Sequence, residues 1–96
     1  MSNMKDFVIE NGVLTKYNGN DSAVVIPDSV MSIGSSAFGN CSGLTSVEIG
    51  KSVTTIDEEA FSFCSSLKSI FIPDNVTSMG KNVLLGCKGI IIKARA

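Results

Sequence analysis

The chain has 96 residues, enough for one domain, and its 8 basic and 9 acidic residues nearly cancel. That balance gives no long-range field for nucleic acid or an anionic membrane, and the absence of histidine removes a principal zinc ligand. Apolar residues make up 44%, yet no run approaches the ~18–20 residues of a membrane-spanning helix, and Met1-Ser2-Asn3-Met4-Lys5-Asp6 lacks the apolar stretch of a signal peptide.

The first predicted element is a β-hairpin over residues 7–17. Phe7-Val8-Ile9-Glu10 and Val13-Leu14-Thr15-Lys16-Tyr17 flank Asn11-Gly12, the strongest short signal for a type I′ turn. Asn18-Gly19-Asn20-Asp21 forms a second turn. From residue 24 the chain repeats. Cys41, Cys64 and Cys87 are 23 residues apart, and three units align on them without gaps: 24–46, 47–69 and 70–92. Units one and two share 11 of 23 residues, whereas units two and three share 4, which marks the third as divergent.

What recurs is apolar. Ile26, Ile49 and Ile72 match, as do Val30, Val53 and Val76. Then come Ile33, Ile56 and Met79; Ala37, Ala60 and Val83; Phe38, Phe61 and Leu84; and Leu44, Leu67 and Ile90. A unit this short cannot bury its own apolar side, so the units must stack, each residue over its equivalent. Within a unit, Leu44-x-x-Val47-x-Ile49 is the L-x-x-L-x-L signature of a leucine-rich repeat. Val47 and Ile49 face one way from a strand and Glu48 the other. Pro27, Gly50 and Pro73 end these strands. Val30-x-x-Ile33 and its copies predict a second, shorter strand. Gly34 and Gly80 suit a positive φ, and Ala37, Phe38 and Cys41 lie on one face of a helical or 3₁₀ turn.

The string from Ile26 to Gly80, with its I-P-x-x-V-x-x-I-G-x-x-A-F-x-x-C-x-x-L core, resembles the BspA-type leucine-rich repeats of bacterial surface proteins. The resemblance spans roughly residues 24–92, and the Asn-Gly hairpin resembles that family's entry segment. It implies a protein-binding or adhesive surface, on exported or cell-surface proteins that meet a host or matrix protein, and it carries no catalytic residues. The expected fold is a leucine-rich-repeat solenoid of three stacked 23-residue repeats. They form a parallel β-sheet with short second strands and helical or 3₁₀ turns, behind an N-terminal capping β-hairpin (residues 1–23). Residues 93–96 end the last strand. Strict periodicity would place Lys93 and Arg95 at inward positions, so a one-residue slip is expected there.

No catalytic, cofactor or metal site is read from the sequence. The cysteines would stack roughly 5 Å apart, a distance that does not exclude a disulfide. With no C-x-x-C and no histidine they are read as small apolar side chains between rungs. Asp57-Glu58-Glu59, above Lys81, and the stack Asp28, Lys51, Asp74 read as solvated surface. The sequons at Asn20, Asn40 and Asn75 read as chance in a chain rich in Ser and Thr. The candidate binding face is the outward row of the strands: Val25, Glu48, Phe71, Ile91 and Lys93. The function expected is a non-catalytic protein–protein interaction or adhesion module using that face. The alternative is a self-associating unit, a homodimer or filament, joined through the C-terminal edge strand.

Overall fold

The computed structural model of the chain describes residues 4–87 and 91–94. Among the described residues a 3₁₀ turn at Met4–Asp6 is followed by nine strands: β1 (Phe7–Glu10), β2 (Val13–Tyr17), β3 (Ala23–Val25), β4 (Ser32–Ile33), β5 (Ser46–Glu48), β6 (Thr55–Ile56), β7 (Ser69–Ile72), β8 (Ser78–Met79) and β9 (Ile91–Ala94). They form two sheets with the orders β1-β2-β4-β6-β8 and β3-β5-β7-β9. The hairpin β1–β2 is antiparallel, with a shift in register between Val8 and Ile9; every other pairing is parallel. Its turn residues Asn11 (φ 53) and Gly12 (φ 80) are both left-handed, as a type I′ turn requires.

The sequence period is the sheet register. Val24 lies opposite Val47, and Val47 opposite Ile70. Ile33 lies opposite Ile56, and Ile56 opposite Met79. At β9 the register slips by one as expected. Ile92, not Lys93, lies opposite Ile70, and Lys93 lies opposite Phe71. A lysine in the inward row would be costly to desolvate, and the slip avoids it.

The core runs the length of the stack. Val24, Ile26, Val30, Ile33, Leu44 and their copies in the second unit are buried. Aromatic rings thread it. Phe7 meets Tyr17 with centroids 5.2 Å apart, Tyr17 stacks on Phe38 at 5.0 Å, and Phe38 stacks on Phe61 at 4.9 Å. The hairpin therefore supplies, in Tyr17, the ring that the first unit would otherwise lack above Phe38.

The turns differ from expectation in two ways. Within the repeats the described residues form no helix: segments 35–40, 58–63 and 81–86 are successive tight turns. Ser36, Glu59 and Asn82 adopt positive φ, as do Asn40, Phe63 and Gly86, and left-handed residues interrupt a right-handed helix. The hydrogen bonds show why. The N–H groups of Ser36, Phe38 and Asn40 donate to the carbonyls of Glu58, Ala60 and Ser62, and those of Glu59, Phe61 and Phe63 donate to Lys81, Val83 and Leu85. The turns thus form a third hydrogen-bonded column, in which these N–H groups bond between rungs while those of Ala37, Gly39, Ala60 and Ser62 bond three residues back.

Gly34 and Gly80 are the second correction, because neither has positive φ. Their role is close approach. A Cβ on Gly34 would lie 3.1 Å from the Leu14 carbonyl oxygen, and one on Gly80 would strike the backbone nitrogen of Glu58. Asp57 fills the same place in the middle unit, so the contact is tight only where the neighbouring backbone closes in.

Candidate protein-interaction face

The sheet β3-β5-β7-β9 sets the candidate residues in two rows. Ala23, Ser46, Ser69 and Ile91 are register partners, and so are Val25, Glu48, Phe71 and Lys93. The second row alternates with the buried Val24, Val47 and Ile70, because successive residues of a strand face opposite sides. The row therefore follows from β-strand geometry.

Val25 is 60% exposed, Glu48 is exposed and Phe71 is half-buried. With Ala23, Ser46 and Ser69 they line a shallow depression of about 540 Å³. A second depression of about 480 Å³ adjoins it, and Val25, Glu48 and Phe71 line both. Its far rim carries Asp28, Lys51 and Asp74, the charged stack noted in the sequence. The side chains of Ile91 and Lys93 lie outside the described residues; only their backbone register is placed. The face is thus apolar at Val25 and Phe71, crossed by one carboxylate, and edged by alternating charge. This pattern suits a protein surface better than a small enclosed ligand.

Two features were not legible in advance. Phe63 is 52% exposed and left-handed, a conformation uncommon for a bulky residue. The one signal was its place in the alignment, where the other units carry Asn40 and Gly86. Cys64 is buried, and Cys41 and Cys87 are half-buried. The reading of the thiols as small buried side chains needs refinement, since they also hydrogen-bond. The Cys64 Sγ donates to the Phe38 carbonyl and the Cys87 Sγ to the Phe61 carbonyl, each at 3.1 Å. Beside them Tyr17 has its pKa raised, chiefly by burial, while its hydroxyl accepts from the Asp21 N–H at 3.2 Å. Among the described residues no group of three or more potential ligands could hold a metal. No helix among them is long and apolar enough to cross a membrane.

Two columns of parallel strands and a turn column, stacked at a leucine-rich period, define a leucine-rich-repeat protein. The family model described as BspA type Leucine rich repeat region (6 copies) matches residues 3–93, and the chain belongs to that family. Solved structures agree. A leucine rich cell surface protein from Faecalibacterium prausnitzii is 33% identical over 90% of this chain and 27% of its own, with a TM-score of 0.78. A leucine-rich repeat protein from Eubacterium ventriosum is 29% identical over 100% of this chain and 29% of its own, with a TM-score of 0.81. One from Bacteroides capillosus is 32% identical over 88% of this chain and 63% of its own, with a TM-score of 0.77. This chain therefore spans less than two-thirds of the length of each. No curated protein matches the sequence. Leucine-rich repeat proteins act in general as protein-interaction modules.

Proposed function

We propose that the chain is a non-catalytic binding module, three 23-residue repeats behind a capping hairpin, that holds another protein on the face of Val25, Glu48 and Phe71. The observation that carries this reading is the depression these three share, which pairs exposed apolar surface with a charged rim. Adhesion at a cell surface, to a host or matrix protein, fits the likeness to the Faecalibacterium prausnitzii surface protein. Ile91 and Lys93 extend the same rows by register.

Phe71→Glu is expected to weaken binding to a responsive member of a panel of immobilised extracellular-matrix proteins by roughly tenfold or more, as loss of a central aromatic contact does. The fold should persist, because Phe71 is only half-buried. Unchanged binding by surface plasmon resonance, with an unchanged circular dichroism spectrum, would remove this face as the site.

Self-association is the second reading, favoured by one observation. The core ladders are more exposed in the third unit than in the first two. Ile33 and Ile56 are fully buried, but Met79 is 47% exposed, and Val76 and Leu84 are only partly buried where Val30, Val53, Phe38 and Phe61 are fully so. Ile92 on the edge strand β9 is 55% exposed. Exposed apolar surface beside a strand that has one neighbour among the described residues favours pairing with another chain. Light scattering after size exclusion at two concentrations should then give a mass above one chain that grows with concentration; a constant single-chain mass would count against it.

A further inference from the structure

The three cysteines form a column whose chemistry the binding role does not use. The Phe38 carbonyl accepts from the Cys41 N–H at 3.3 Å and from the Cys64 thiol at 3.1 Å. One oxygen therefore holds the Cys64 sulfur against the Cys41 backbone. Cys41 and Cys64 are one 23-residue period apart and so hold equivalent places on adjacent rungs. A rung spacing of ~4.8 Å falls inside the ~4.4–6.8 Å between Cα atoms that a disulfide tolerates.

Access differs along the column. Cys41 borders an open groove of about 460 Å³ with Lys16, Tyr17, Asn18 and Leu44, whereas Cys64 is wholly buried. The hydrogen bond from Cys64, helped by the charge of Lys16 and opposed by burial, brings Cys41 down to about 7, while the same contact and burial push Cys64 up. Cys87 is pushed up by burial. The groove, the neighbouring cation and the adjacent second thiol all single out Cys41 as the entry point.

We propose that Cys41 and Cys64 are a dithiol–disulfide site, oxidised by low-molecular-weight disulfides of the glutathione class, whose closure locks the first rung to the second. The Cys41 thiolate attacks one sulfur of the small disulfide. Its S–S bond breaks, a mixed disulfide forms on Cys41, and the departing thiolate takes up a proton. The Cys64 sulfur then attacks the Cys41 sulfur, and its proton passes to the second small thiolate as that thiolate leaves. Two protein thiols are oxidised and one small disulfide is reduced to two thiols. Cys87 keeps its thiol.

The test incubates the full chain with oxidised glutathione, then uses intact mass, thiol titration in denaturant and peptide mapping. The expected product is a single chain two hydrogens lighter, with one titratable thiol and a Cys41–Cys64 crosslink. Its thermal midpoint should lie roughly 5–15 °C above that of the reduced chain. Cys87→Ser should oxidise at the same rate, and Cys64→Ser should stop at glutathione on Cys41. Three free thiols after incubation, a crosslink to Cys87, or a bond between chains would overturn the site. An unchanged or lower midpoint in the crosslinked chain would overturn the lock.

Discussion

Phe61→Ala is expected to lower the midpoint of thermal unfolding by roughly 15–30 °C. Phe61 is fully buried and stacks 4.9 Å from Phe38. Its N–H donates to Val83 and its carbonyl accepts from both Cys64 and Cys87, so the side chain sits where the turn column and the core meet. Truncating a buried Phe costs about 3–5 kcal/mol in cavity and transfer terms. In a domain of this size each kcal/mol moves the midpoint by ~4–8 °C. Phe63→Ala is the control. Phe63 lies on the same turn but is half-exposed and left-handed, so its loss should move the midpoint little. A circular dichroism melt of each decides the matter, and equal small shifts would mean that Phe61 does not anchor the stack.

Removing residues 1–20 should abolish cooperative unfolding. The hairpin buries Leu14 and Tyr17 against the first unit, and β2 is the strand that pairs with β4. It also holds that unit by backbone. Tyr17 N–H donates to the Ala37 carbonyl, while Gly12 and Leu14 carbonyls accept from Met31, Ser32 and Gly34. Without it Phe38, Ile33 and Ala37 would face water, and two complete units plus a divergent third would remain. About three repeats is the practical minimum for a solenoid. A truncated chain that still melts in one sharp transition near the parent's midpoint would show that the first unit closes its own end.

The parts of this fold that were readable are those in which one residue type must recur. Ile33 over Ile56 and Phe38 over Phe61 are legible because a stacked core repeats shape as well as polarity. The slip at β9 was also legible, because Lys93 cannot take the place of Ile70. The turn conformation was not. Ser36, Glu59 and Asn82 share φ but no common chemistry, since bonds to the next rung fix them and local preference does not. Glycine pointed the wrong way at 34 and 80 because a close backbone and a left-handed backbone select the same residue. On the candidate face, strand alternation puts Val25, Glu48 and Phe71 in one row, whereas the depression between them depends on how far Phe71 sinks, which alternation does not encode.

The turn column has a sign. Every inter-rung backbone bond in it runs from an N–H on one unit to a carbonyl on the following unit. At the last unit the equivalent donors are Asn82, Leu84 and Gly86, and among the described residues none of their N–H groups has an acceptor. The C-terminal side of the third unit therefore carries, beside its apolar surface, a row of three parallel donors among the described residues. Two chains meeting there about a twofold axis would set donor against donor in this column. A surface that seats well there must instead bring carbonyl oxygens at a matching spacing, as a further repeat stacked in the same direction would.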